Sequence, residues 1–112
     1  MNYVGSIVRI LETPKLQSLT NNINRTEFRV KLPKMRNKKS TTIAKLVFWG
    51  DFACDVANYY QVNDYILIEG YLAYKKEEFH NRMLKNLEIT VFKVYPLFLN
   101  SEKKTNTLEE RK

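Results

Sequence analysis

Between Thr41 and Leu72 the chain reads TTIAKLVFWGDFACDVANYYQVNDYILIEGYL, and this run constrains the fold most, because a strand period, a helix period and a second strand period follow one another without a gap. From Thr41 to Trp49 the residues alternate, with Thr42, Ala44, Leu46 and Phe48 on one face and Ile43, Lys45, Val47 and Trp49 on the other. Gly50 and Asp51 break that alternation and offer a helix start, after which Phe52, Val56, Tyr59 and Tyr60 recur at helical spacing. Asn63 and Asp64 close the helix, and Ile66, Ile68, Gly70 and Leu72 resume the two-residue period. A short helix joining two strands is expected, within one domain.

Taken in order, Tyr3 to Leu11 reads as a first strand, ending before Pro14, which biases Thr13 toward an extended conformation. Lys15 to Arg25 has no apolar period and is expected to be a loop or a long hairpin connection. Thr26 to Leu32 is the clearest strand, with Phe28, Val30 and Leu32 inward and Glu27, Arg29 and Lys31 outward. Pro33 to Ser40 is a basic turn with an expected mobile tip. Beyond the central run, Tyr74 to Arg82 reads as a charged hairpin and Leu84 to Tyr95 as a fifth strand stopped by Pro96. The expected fold is all-β with one short helix, a five-stranded OB-fold barrel in the order strand, strand, strand, helix, strand, strand. It occupies residues 1–97, with a polar, disordered tail over 98–112.

A chain of 112 residues, 44% of them hydrophobic, can bury roughly two thirds of its unfolded surface in one core. No window approaches the roughly 20 apolar residues of a membrane helix, and the N-terminus enters a strand pattern directly, so a soluble chain without an import sequence is expected. Cys54 is the single cysteine and forms no intramolecular disulfide, which suits a reducing interior. Scarce glycine, alanine and proline beside abundant Asn, Lys, Ile and Tyr fit an AT-rich genome.

The net charge is +7, and its excess is local: Arg29, Lys31, Lys34, Arg36, Lys38, Lys39 and Lys45 lie in a segment without an acid. A basic stripe of this kind favours a polyanion over a membrane, since no amphipathic helix carries the charge. Binding single strands needs cations for the phosphates and aromatic faces for unstacked bases. Lys45 and Trp49 share the outward face of the third strand, beside Arg29 and Lys31 on the second. In the charged hairpin, Tyr74, Lys75 and Phe79 interleave rings with cations. Phe28 and Phe48 point to the core instead.

Catalysis finds little support. Glu77 and Glu78 are adjacent and would point to opposite faces of a strand, while Asp51 and Asp55 suit the start of a helix. Gly5, Gly50 and Gly70 are too scattered for a phosphate loop. His80 is a lone surface histidine with no metal-ligand spacing around it, and Cys54 suits a small helix position. No metal, no cofactor and no enzyme activity are expected.

The run WGDFACDVANYYQVNDYILIEGYL resembles the bacterial and organellar single-stranded-DNA-binding protein family through Trp49, Gly50, Ala53, Tyr59, Ile68, Glu69 and Gly70. The N-terminus adds Asn2, Val4, Ile7, Arg9, Ile10 and Pro14. Within the family, the basic second strand and the LVFWG and NDYILIEGYL runs are similar to small proteins encoded in algal plastid genomes. The resemblance covers about residues 1 to 95 and implies an OB-fold that coats single-stranded DNA in the replication, repair or recombination of plastid DNA.

It also implies a base-stacking position at Trp49, where the family usually has phenylalanine. Other family features are absent. A tryptophan aligns with Ile43, and a histidine of the subunit contact aligns with Ala44. The stacking tryptophan of the last hairpin falls at Glu77, with Phe79 the nearest aromatic, and Met35 and Arg36 occupy the region of another. The chain ends NTLEERK, without the acidic tail that recruits partners.

The expected nucleic-acid surface is therefore Arg29, Lys31, Lys34, Arg36, Lys38, Lys39, Lys45 and Lys75 for phosphate, with Trp49, Phe79 and Tyr74 for bases. RNA is an open alternative ligand, and an interaction subunit of a replication or transcription assembly is an open alternative role. The resemblance implies a homotetramer; exposed Ile43 and Phe92 permit a dimer or a tetramer, and Ala44 argues against the family's contact.

Overall fold

Alternating side chains oblige each strand to offer one face to a shared interior, and the ladders show how that interior is enclosed. The computed structural model describes residues 2–34, 41–79 and 82–100, of which 76–79 and 82–85 are described by their backbone alone. Among them are β1 (Asn2–Ile10), β2 (Lys15–Leu19), a 3-10 turn (Thr20–Asn22) and β3 (Ile23–Lys31). There follow β4 (Ile43–Trp49), α1 (Asp51–Tyr59), β5 (Tyr65–Phe79) and β6 (Arg82–Phe98).

The sheet runs β1-β5-β6-β4-β3-β2 and closes by a further pairing of β1 with β3. β1 lies antiparallel to β5 from Asn2↔Leu72 to Arg9↔Tyr65, and its last two residues also meet β3, at Arg9↔Lys31 and Ile10↔Val30. β4 pairs antiparallel with β3 and parallel with β6. The result is a five-stranded ring with β2 added outside it along β3.

Inside the ring the predicted inward faces meet. Phe28 and Phe48 stack with ring centroids 5.4 Å apart, and Phe52 of α1 sets its edge on Phe48 at 5.3 Å. Ile10, Val30, Leu46, Ile66, Ile68 and Ile89 are fully buried around them. α1 buries Ala53, Val56 and Tyr59, and the buried Thr26 hydroxyl of β3 donates to the Ala53 carbonyl at 2.8 Å. Leu99 packs against this core, and the Asn100 amide donates to the buried Asp64 carboxylate at 2.7 Å.

The OB-type ring agrees with expectation; the strand count and several bounds do not. Lys15 to Arg25 is not a loop, for β2 pairs with β3 from Lys15↔Glu27 to Leu19↔Ile23. It lacks an apolar period because β2 lies at the sheet edge with all five residues exposed. The turn is made by Asn21 and Asn22, at φ of 74° and 60°, a region that asparagine tolerates better than most residues.

The charged hairpin from Tyr74 is likewise a continuation of the ladder, from Tyr74↔Leu87 to Phe79↔Arg82, so β5 and β6 extend as a two-stranded ribbon. Pro96 does not end its strand. β6 runs to Phe98, and Pro96 sits next to a register irregularity on the stretch beyond Thr90, where β6 has lost its β4 neighbour and its outer edge needs no N–H donor. The tip of the basic turn (35–40), His80 with Asn81, and the tail over 101–112 lie outside the described residues.

Gly70 sits at a close approach of β5 to β6, at a shift in register between Glu69 and Gly70. A Cβ there would stand 2.4 Å from the Thr90 carbonyl oxygen and 2.8 Å from Ile89 Cγ2. Gly70→Ala is expected to lower stability by about 1–3 kcal/mol, read from the urea midpoint at unchanged slope.

Candidate functional site

The outer face of β3 and β4 carries the groups with chemistry to offer. Register sets Arg25 opposite Trp49, Glu27 opposite Val47, Arg29 opposite Lys45 and Lys31 opposite Ile43. Trp49 ends its strand at a turn that is held firmly. Gly50, at φ 70°, donates its N–H to the Asn24 carbonyl at 2.9 Å and accepts from Ala53 at 3.0 Å. The indole therefore points outward, 43% exposed. The Arg25 guanidinium lies 5.3 Å from its ring centroid, a cation–π contact. Val47, on the same outer face and outside the core cluster, is only 2% exposed. Glu27 opposite, with Lys45 and Trp49 two residues either side, screens it with long side chains.

Three carboxylates organise the cations. Arg25 pairs with Glu27 and reaches Glu88 of β6 at 3.9 Å; Lys45 reaches Glu27 at 3.9 Å; Lys75 of β5 reaches Glu88 at 3.7 Å. Arg29 is bound to Glu12, which accepts both its backbone N–H at 2.8 Å and its guanidinium at 3.2 Å. Parallel pairing puts Lys45 beside Glu88, which explains how β6 enters the network. Two hollows flank these groups. One, of about 470 Å³, lies among Arg25, Lys45, Trp49, Lys75 and Glu88. The other, of about 400 Å³, lies among Glu12, Lys15, Gln17, Glu27, Arg29 and Lys45. They share Lys45, so a groove follows the outer face of β3 and β4 with an indole at one end.

Of the residues expected at the site, Trp49, Lys45, Lys75 and Arg29 come together in this groove. Lys31 and Lys34 line a different hollow, at the other end of β3. Tyr74 is 64% exposed on the projecting ribbon, one residue from Lys75 and so on the opposite face. Phe79 ends β5, and its side chain lies outside the described residues, as do Arg36, Lys38 and Lys39.

The sequence reading missed Arg25, Lys15, Gln17, Glu12 and Glu88. The first three fall in the stretch expected to be a loop or a long hairpin connection. The available signal was the Asn-Asn pair between two extended runs.

Other groups serve structure. The Asn24 amide donates to Cys54 Sγ at 3.2 Å, giving that thiol a packing role. Tyr3, on the opposite side of the ring, donates its hydroxyl to Glu69, and that hydrogen bond holds the phenol above its ordinary pKa. Among the described residues no cluster of three His, Cys, Asp or Glu could hold a metal, and no helix is long and apolar enough to cross a membrane.

Comparison with known proteins gives this geometry a context. The model of the single-strand binding protein family matches residues 1–97. A Trieres chinensis protein named "Putative single-stranded DNA-binding protein ycf41" is 36% identical over 105 residues, spanning 90% of this chain and 93% of that protein. The crystal structure of the SSB domain of a Synechococcus protein superposes with a TM-score of 0.68 at 26% identity, covering 85% of this chain and 94% of the other. The small single-stranded DNA-binding protein from Streptomyces coelicolor shares the fold at a TM-score of 0.73 and 15% identity, covering 86% and 95%.

The cation–π contact is open to direct measurement, because Trp49 is the only tryptophan. Arg25→Ala is expected to raise acrylamide quenching of Trp49 fluorescence and to lower stability by about 1 kcal/mol.

Proposed function

The chain belongs to the single-strand binding protein family, and from that premise we propose that it binds single-stranded DNA without catalysis, along the groove between β3 and β4. The observation that carries this reading is an outward indole at the head of a groove lined by cations. Bases have an aromatic face to lie on, and phosphates have Arg25, Arg29, Lys45, Lys75 and Lys15 within one channel. Base–aromatic stacking and phosphate neutralisation together need no sequence readout, which suits a protein that coats DNA during replication, repair or recombination. Lys31, Lys34, Arg36, Lys38 and Lys39 belong to one acid-free run of the sequence and are further candidates for phosphate, and Tyr74 and Phe79 are further candidates for bases.

Electrostatics tune this surface. In the free protein Arg25, Arg29, Lys45 and Lys75 are partnered by Glu12, Glu27 and Glu88. These are partly exposed pairs, each contributing on the order of 0–1 kcal/mol, and an incoming phosphate competes with them at little cost. The carboxylates keep the cations extended over the groove and lower its net charge, so affinity relies on stacking as well as on charge. A plastid location follows from the resemblance of the LVFWG and NDYILIEGYL runs to plastid-encoded algal proteins. Self-association through β1, β5 and β6 suits the exposed Tyr3, Ile7, Tyr71, Phe92 and Tyr95 on the other side of the ring.

A second reading, an interaction subunit that touches nucleic acid weakly, is favoured by the partnering of these groove cations. A salt titration of a fluorescent single-stranded oligonucleotide against duplex DNA separates the two. Stacking predicts quenched Trp49 and affinity that survives moderate salt on single strands only. Equal affinity for duplex, no quenching and collapse in salt would favour the interaction subunit.

Trp49→Ala is expected to weaken single-strand binding by about 1–3 kcal/mol with the fold retained. Glu88→Gln acts in the opposite direction. By releasing Arg25 and Lys75 it should tighten binding a few-fold, roughly, at low ionic strength and steepen the dependence of log affinity on log salt.

A further inference from the structure

The hollow beside Trp49 contains a carboxylate that has charge partners but no hydrogen-bond donors. Glu88 lines it from β6, with its side chain only 16% exposed. Its Oε2 lies 3.7 Å from Lys75 Nζ, and its Oε1 lies 3.9 Å from Arg25 Nη2. These separations balance charge, yet they exceed the roughly 2.7–3.2 Å of an N–H···O bond. Neither oxygen accepts a side-chain or backbone hydrogen bond among the described residues. A half-buried acceptor without a donor costs stability, and a ligand that supplies the donor removes that penalty. The Arg25 guanidinium also stands 5.3 Å from the Trp49 ring centroid, so ring and carboxylate border one space. That space, of about 470 Å³, has the size of a ligand pocket.

The acceptor's shape identifies the donor that fits it. Two carboxylate oxygens side by side match two parallel N–H groups, the arrangement that makes an arginine–carboxylate pair bidentate. Among the DNA bases only guanine carries two neighbouring donors on one edge, N1–H and the 2-amino group, with the O6 acceptor next to them. Adenine and cytosine set an acceptor nitrogen beside their amino group, and thymine places its one N–H between two carbonyls. Each of these turns a lone pair toward the carboxylate. We infer that this hollow is a guanine-preferring base site. The base lies on the Trp49 ring, N1–H and the 2-amino group donate to Glu88, and O6 accepts from Arg25 or Lys75. This inference rests on the single-strand reading and adds a preference at one position, while the rest of the strand is held without regard to sequence. In a duplex that edge of guanine is already paired, so only an unpaired base can use the site.

The test measures the full chain against alternating oligonucleotides of about 12 nucleotides, within the roughly 4–16 that one OB fold covers. Thymine alternates with guanine in one, with adenine in the second and with hypoxanthine, which lacks the 2-amino donor, in the third. Wild type should bind the guanine strand about tenfold more tightly than the adenine strand, with the hypoxanthine strand between them. That ratio should be the same at low and moderate salt, because reading a base edge releases no counterions. Glu88→Gln should bring the guanine-to-adenine ratio close to one, since an amide offers one acceptor oxygen and its nitrogen donates. Binding of oligothymidylate by this variant, tightened at low salt, shows that it is folded. Equal affinity of wild type for guanine and adenine strands would overturn the site. So would a hypoxanthine strand that binds as well as the guanine strand, or a ratio that survives Glu88→Gln. Wild-type protein that binds none of these strands and shows no Trp49 quenching would defeat the single-strand reading itself, and the guanine site with it.

Discussion

The ring depends on what happens at Ile10. Its side chain is fully buried, its N–H donates to the Asp64 carbonyl at 2.9 Å, and its carbonyl accepts from Asn63 at 2.8 Å. On its other side it pairs with Val30. One residue thus joins β1 to the loop before β5 and to β3, and those links convert an open sheet into a closed one. Once the ring is closed, each strand has an inner and an outer face with nothing in between, so alternation becomes a division of labour. The inner residues make the core, and the outer residues of β3 and β4 are left free to be charged.

Closure also sets where those charges compete. Running β4 parallel to β6 brings Glu88 beside Lys45, and the ribbon of β5 with β6 carries Lys75 above it. The groove at Trp49 is therefore a mixed-charge surface, in which carboxylates hold cations in place and limit their net attraction for an anion. At the opposite end of β3 the strand passes the closure seam, where Arg9 and Lys31 sit side by side. One end of the outer face has an indole and cations held by carboxylates, and the other has cations that make no ion pair among the described residues, around a chiefly apolar hollow.

The remaining outer surface has a different character. Tyr71 and Tyr3 lie 5.2 Å and 6.1 Å from Phe92, next to the register shift at Gly70. All three rings are exposed. The shift inserts Phe92 between Val91 and Lys93 on the β6 side, which is how an extra ring reaches this face. Only a glycine allows the two strands to approach closely enough there.

What the sequence determined by itself was the content of the interior and the order of the ring. The two-residue period of Phe28, Val30 and Leu32, the same period in Ala44, Leu46 and Phe48, and the helical spacing after Gly50 each follow from local geometry. Each can be read without knowing a neighbour. Trp49 and Lys45 were legible for the same reason, as outward positions on such a strand. Tertiary structure alone decided that β2 is a strand, since an edge strand exposed along its length leaves no apolar signature. It alone brought Glu88, Lys75 and Arg25 together, because they come from strands far apart in the chain. It also gave Lys31 and Lys45 different surroundings, for members of one basic stripe part company once one end meets carboxylates and the other meets the closing seam. Side-chain period is a property of one strand, whereas charge pairing and the shape of a groove belong to several strands at once.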